Sequence, residues 1–344
     1  MASAVAPSLL FLIVFVLLCT IFALTDVFLA KPIFCSMDHI HYAAIDIGSN
    51  AVRLLIKRLD DPKKGRFSKD VLLRVPLRLG QEVFTEGSVS EQKLHDLTEV
   101  MKAFALVMGV YQVSPSNRRI CATASLREAA NADAVVRHVK EVTGLDIEVI
   151  SGHEEASIVC SLHAPGDERS LVYVDVGGGS TEISLMSGGR TIGRRSFPIG
   201  TIRILNNVAI ANWHFLLTDF LREMAADFLG CPVAQARMPE AVMVGAGGNI
   251  NKLFALAQER DADEHSMTVG TLQSLYDTLA PLSVEQRMVK YKLKADRADV
   301  IVPAADIFLT IARALDIGEV EIPSDGLADG IIADMWAKQH QRAT

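Results

Sequence analysis

A layered α/β fold is what this sequence predicts, and two observations carry the prediction. Short apolar runs alternate with amphipathic stretches from residue 42 onward. One turn pattern also occurs twice, as Asp46-Ile47-Gly48-Ser49-Asn50 and as Asp175-Val176-Gly177-Gly178-Gly179. Alternating strands and helices place helices on the faces of a sheet, and the repeated turn implies two similar halves.

Taken in order, Tyr42–Ile47 is an apolar run that ends in Gly48-Ser49-Asn50 and resumes as Ala51–Lys57, a strand–turn–strand signal. Ser90–Gly109 reads as a helix, with Leu94, Leu97, Met101 and Phe104 on one face. Arg119–Thr123 reads as a strand, Leu126–Thr143 as a helix, Ile147–Ile150 as a strand, and a further helix starts at Ser151. Leu171–Val176 and Glu182–Met186 flank the second turn. Helices follow around Trp213–Leu229 and Thr271–Leu279. Ala241–Val244, the glycines of 245–248 and Asn249–Gln258 form a third strand–glycine–helix unit. A helix near Ala298–Leu315, a loop over 322–326 and a last helix close the chain. Pro165 and Gly166 interrupt the pattern, so the expected segments are 1–36, 37–166 and 167–344.

Composition excludes several classes. The 344 residues are half hydrophobic, with a charged fraction of 22%, which argues against disorder. A net charge of −7 argues against broad capture of nucleic acid. It leaves room for a small polyanion, because screening confines charge effects to about 8 Å. The five cysteines lack any C-x-x-C spacing, which excludes a disulfide scaffold or structural zinc and fits a reducing compartment, the cytoplasm. No G-x-x-x-x-G-K-[ST] is present, so a P-loop enzyme is excluded.

Residues 9–30 are almost wholly apolar, long enough to contact or cross a membrane. They lack the positive leading region and small-residue cleavage site of a secretory signal. Lys31, Lys57 and Arg58 on the far flank would keep the following part in the cytoplasm. The other reading makes residues 1–36 an upstream extension that is not translated, with the enzyme beginning near Met37.

Each D-x-G turn puts a carboxylate at the end of a buried strand, beside a glycine loop whose N–H groups can face an anion. Two such turns across a cleft can hold a chain of phosphates, with the carboxylates holding Mg²⁺. The pair Glu154-Glu155 divides by geometry. Ser151-x-x-Glu154 has the pattern of a capping box, whereas Glu155, about 100° further round the helix, is free to enter a cleft. There a carboxylate can deprotonate an attacking water, a task worth roughly 10²–10⁴ in rate. Arg127 and Asn131, at i and i+4, would share a helix face as a phosphate clamp. Arg118, Arg119, Arg194 and Arg195 read as solvated basic pairs or as an extension of that track. The spacing Cys121-x5-Arg127 imitates a thiol phosphatase, but its loop has no glycine to wrap a phosphate. His39-x-His41 lacks a third metal ligand nearby.

The stretch Ala44-Ile45-Asp46-Ile47-Gly48-Ser49-Asn50-Ala51-Val52-Arg53 resembles the first phosphate motif of the exopolyphosphatase/guanosine pentaphosphate phosphatase family. Val174 to Glu182 resembles its second. Ala122–Asn131, Ile147–Ala156, Pro198–Arg203 and Val244–Gly248 resemble further blocks in the same order. The resemblance implies two ribonuclease-H-like domains of the actin/hexokinase superfamily, with the site in the cleft between them. It implies Mg²⁺-assisted hydrolysis of the terminal phosphoanhydride of polyphosphate, with Glu155 as general base. By the same likeness Asp46, Asp175 and Glu182 are metal-linked. Ser49, Asn50, Arg53, Arg127, Asn131, Gly177, Gly178, Gly179, Ser180 and Thr181 bind phosphate, and the enzyme is a homodimer. Hydrolysis of a phosphorylated guanosine nucleotide, pppGpp, is the rival within the family. An ATP-binding sugar-kinase-like or actin-like protein, with glycines 245–248 on adenosine, is the distant one.

Overall fold

The first turn is held by strand pairing. β1 (His41–Ile47) is buried along almost its whole length, and β2 (Val52–Asp61) returns antiparallel to it with Asp46 opposite Arg53. β3 (Arg66–Val75) adds an outer strand. After α1 (Leu79–Glu86) and α2 (Glu91–Val110) come β4 (Arg118–Ala122), α3 (Ala124–Glu128), α4 (Ala132–Thr143), β5 (Glu148–Val149) and α5 (Gly152–Ser161). The five strands lie in the order β3-β2-β1-β4-β5, with β4 and β5 parallel to β1. This computed structural model describes residues 39–162, 167–208, 211–235, 238–257, 265–323 and 325–341.

The second half repeats that plan. β6 (Leu171–Val176), β7 (Thr181–Ser187) and β8 (Arg190–Phe197) form an antiparallel meander. There follow α6 (Thr201–Leu205), α7 (Trp213–Leu229), β9 (Val242–Ala246), α8 (Gly247–Ala257), β10 (Ser266–Thr268) and α9 (Val269–Leu279). The chain continues through α10 (Val284–Tyr291), α11 (Ala295–Ala298), α12 (Ile301–Leu315), β11 (Glu319–Glu321) and α13 (Leu327–Gln341). The strand order is β10-β11-β9-β6-β7-β8. Without the extra β10, that is the order of the first sheet, so the repeated turn extends to a repeated topology. The expected fold of two ribonuclease-H-like α/β layers is the one observed.

α2 and α4 cover one face of the first sheet, where Leu97, Met101, Phe104, Val135 and Val139 pack against Ile45 and Leu54. Its other face is covered from far along the chain: Ile331 and Ile332 of α13 pack on Tyr42, Ala44 and Leu55. The Tyr42 hydroxyl donates to Gln339 Oε1 at 2.6 Å. α7, α9 and α12 bury the second sheet's core around Leu217, Leu272 and Phe308. Ile40–Thr344 accordingly forms one compact unit.

Three sequence expectations need correction. β3 and β8 are two edge strands that the sequence pattern does not predict, because polar and charged residues are mixed into both without clean alternation. The single helix expected over Leu126–Thr143 is two, α3 and α4. The Ala130 N–H bonds to the Gly87 carbonyl at 2.8 Å and the Asn131 side chain to Val89, which draws the chain out of helical register. The capping box at Ser151 is half formed: Ser151 Oγ accepts from the Glu154 N–H at 3.1 Å, but the Glu154 carboxylate turns to Arg119 Nη2 at 2.8 Å. The apolar stretch 9–30 lies outside the described residues, and among those described no helix is long and apolar enough to cross a membrane.

Candidate active site

Both D-x-G turns close in the same way. The Gly48 N–H donates to the Ala51 carbonyl at 3.1 Å, and the Gly177 N–H to the Ser180 carbonyl at 2.9 Å. In the second turn every carbonyl is taken from behind. Asn249 Nδ2 donates to the Val176 carbonyl at 2.8 Å. The Thr201 and Ile202 N–H groups donate to those of Gly177 and Gly178 at 3.1 and 2.8 Å, and Arg203 Nε donates to that of Gly179 at 2.6 Å. In a planar trans peptide the N–H points opposite to its C=O. The N–H groups of Gly178, Gly179 and Ser180 are therefore turned the other way, into the cleft, and none meets a protein acceptor among the described residues. Such convergent N–H groups form an anion nest.

The first turn does likewise on a smaller scale. The Gly80 and Arg78 N–H groups donate to the carbonyls of Ser49 and Asn50 at 2.9 and 3.1 Å, which aims the N–H groups of Asn50 and Ala51 away from them. The turns meet closely. A Cβ on Gly178 would lie 3.0 Å from Ser49 Cβ and 3.5 Å from the Asn50 nitrogen, so any larger residue would have to push the two turns slightly apart.

Between them lies a narrow cleft of about 60 Å³. Asp46, Ser49, Asn50, Arg53, Glu155, Asp175, Gly177, Gly178, Gly179 and Ser180 all line it, as the sequence led us to expect. Arg127 reaches the cleft through Glu155, donating Nη1 to its Oε2 at 3.3 Å. Glu182 stands behind the wall, where its Oε1 accepts from Ser196 Oγ at 2.8 Å. Thr181 is turned inward, its hydroxyl donating to the Ile199 carbonyl at 2.6 Å, so it braces the loop rather than facing a ligand. Asn131 is not brought to the site. Its amide bonds both ways to the Val89 backbone, Nδ2 to O at 2.8 Å and Oδ1 from N at 3.0 Å. The proposed i, i+4 face does not exist once the helix breaks at 129–131.

Sequence reasoning missed Arg297 and Asn249, which also line the cleft. Arg297 Nη1 donates to Asn249 Oδ1 at 3.0 Å. Burial, together with the like charges of Arg74 and Arg53, disfavours its positive form, a cost that an anion in the cleft would relieve. Asn249 was legible in the third glycine unit. Arg297 carried no motif.

Four carboxylates share this region, and burial raises the pKa of each. Asp175 is pushed up to about 6 by burial, with Asp46 adding to the shift and Arg53 opposing it. Burial raises Asp46 against the pull of Arg53, whose Nη1 lies 3.2 Å from Asp46 Oδ2. Glu155, with 7% of its surface exposed, is held well above the ordinary glutamate range by burial first, then by the charges of Glu182 and Asp175. Glu182 is raised by burial and by Asp175. Among the described residues no three acidic, histidine or cysteine side chains converge as a metal cage. Mg²⁺ needs no such cage, since it usually takes one or two carboxylates and completes its shell with water and phosphate oxygens. Asp46 and Asp175, one from each turn and both on the cleft wall, are a donor set of that chemistry. Cys121 is buried in β4 with its thiol pushed up to about 12 by burial, which makes it inert as a nucleophile.

A sequence model of the Ppx/GppA phosphatase family matches residues 67–339. The chain belongs to that family. Among solved structures it is similar to the Ppx/GppA family member of Aquifex aeolicus, at 25% identity and a TM-score of 0.69, over 88% of this chain and 99% of that one. An exopolyphosphatase from Cytophaga hutchinsonii shares the fold at 19% identity and a TM-score of 0.74, over 87% and 98%. In this Ppx/GppA phosphatase the two facing glycine turns lie beside the buried Glu155.

Proposed function

We propose that this cleft removes the terminal phosphate of a linear polyphosphate by attack of water on the end phosphorus. The observation that carries the reading is the wall itself: two N–H nests, the guanidinium groups of Arg53 and Arg297, carboxylates, and no aromatic side chain among its described residues. Phosphates find donors along the wall, whereas a guanine base finds no ring on which to stack. The ATP-binding alternative meets an obstacle at Gly248, where a Cβ would lie 2.5 Å from Arg297 Nη2 and 3.0 Å from Arg53 Nη2. Two guanidinium groups crowd that glycine, which disfavours an adenosine resting against it.

Glu155 accepts a proton from the attacking water, and the bond from Arg127 sets the orientation of its carboxylate. The N–H groups of Gly178, Gly179 and Ser180 meet the charge that spreads over the transferred phosphoryl oxygens. The P–O bond to the shortened chain breaks, and that chain leaves as the phosphate anion. Asp46 and Asp175, with Glu182 behind them, would hold Mg²⁺, which supplies neutralisation of phosphate oxygens.

The test is a substrate panel on the full chain with Mg²⁺: long polyphosphate, short polyphosphate, pppGpp and ATP. Orthophosphate release fastest from polyphosphate is the expected result. A higher kcat/KM on pppGpp would overturn the choice of substrate.

A further inference from the structure

Of the three carbonyls turned away from the cleft, those of Gly177 and Gly178 are held by backbone N–H groups at the start of α6, a bond most side-chain choices would permit. Of these three, the Gly179 carbonyl is the one held by a side chain without a backbone donor, that of Arg203, as the Val176 carbonyl before them is held by Asn249. This guanidinium makes two further contacts, both with the first half of the chain. Its Nη2 pairs with the Glu128 carboxylate at the end of α3. Its plane lies over the Phe84 ring of α1, 4.0 Å from the centroid. Phe84 in turn abuts Gly179 so closely that a Cβ there would collide with the ring. Arg203 has only 11% of its side chain exposed, and nothing in the proposed chemistry uses it.

We propose that Arg203 is the positioning residue of the phosphate loop. By holding the Gly179 carbonyl back it points the Ser180 N–H into the cleft, and through Glu128 and Phe84 it ties that orientation to the docking of the two halves. The inference rests on reading the cleft as a phosphate site. A lysine cannot replace this arginine, because a single ammonium on a flexible stem cannot stack on a ring, pair with a carboxylate and donate to a carbonyl together.

Arg203→Met and Arg203→Lys test it, read by kcat and KM on polyphosphate and pppGpp and by calorimetric affinity for orthophosphate. Both variants are expected to lose roughly 10–100-fold in kcat, less than the 10²–10³ lost when an aimed donor is deleted outright, with KM changing less. Their orthophosphate affinity falls about fivefold or more, because a misaimed donor weakens the nest in the ground state too. A brace for the fold alone would lower the melting temperature without altering orthophosphate affinity in the folded enzyme. Glu128→Gln, which leaves the Gly179 bond in place, should lose less than either. It decides the matter should both Arg203 variants fail to fold, since an unchanged kcat and orthophosphate affinity in it would remove the tie to the first half. Either Arg203 variant, folded and within about twofold of the parent in kcat and orthophosphate affinity, overturns the proposal. Failure of the parent to hydrolyse either substrate would count against the proposed function, while the orthophosphate comparison still decides the role of Arg203.

Discussion

Arg127 and Glu155 share one nitrogen's worth of geometry: Nη1 of Arg127 donates to Glu155 Oε2 at 3.3 Å and to the Ile150 carbonyl at 2.9 Å. The carbonyl belongs to the residue just before the Ser151 cap of α5. Arg127 thus fixes its own position by the backbone entering the helix that carries Glu155. Glu155 and Arg127 are thereby held to the same stretch of backbone.

Glu155→Gln is expected to lower kcat by roughly 10²–10⁴, the usual contribution of a positioned general base. Glu154→Gln should leave turnover within about twofold and cost at most about 1 kcal/mol, because Glu154 itself is half-exposed and Arg119 keeps its pairs with Glu148 and Asp334. Steady-state kinetics on the two variants separates them. Loss of turnover in Glu154→Gln with retention in Glu155→Gln would reverse the assignment.

The acid limb of the pH–rate profile should sit above the ordinary glutamate range. In the proposed role Glu155 works only when deprotonated, and its pKa is raised by burial and by Glu182 and Asp175, so protonation would remove the base at a higher pH than in a free glutamate. A profile of kcat/KM that stays flat down to pH 5 would contradict this.

Asn131→Ala should cost stability, about 1–3 kcal/mol for the two lost bonds to Val89, while KM stays unchanged. Arg127→Ala should impair turnover. Urea unfolding alongside kinetics distinguishes the roles, and a raised KM in folded Asn131→Ala would restore it to the site.

Asp175→Asn should stabilise the protein at pH 7.5 when divalent cations are chelated. The folded pKa of Asp175 is about 6 against an ordinary value of 3.8, so the native state binds more protons than the unfolded state across that interval. Stability from this group is fully present below the lower value and is lost as pH rises through the upper one. Removing the charge should add up to about 3 kcal/mol at pH 7.5 and flatten the dependence between pH 4 and 7. Equal melting temperatures of parent and variant across that range would refute the burial argument.

Local pattern determined much of this protein. The strand–glycine–strand turns around Gly48 and Gly177, the helix capped by Ser90 and the separation of Glu155 from Glu154 follow from residue spacing, because turns, caps and helix faces are set by neighbours within a few positions. Tertiary structure decided the rest. Asn131 looked like a clamp because i and i+4 share a face, yet its bonds to Val89 break the helix that would have made the face. Glu154 left its capping box for Arg119. Arg297 reaches the cleft and Arg203 the second glycine turn from other segments, and α13 leaves the second half to cover the first sheet. These contacts join residues far apart in the chain, and their strength depends on burial and on which partners the fold brings within hydrogen-bonding distance.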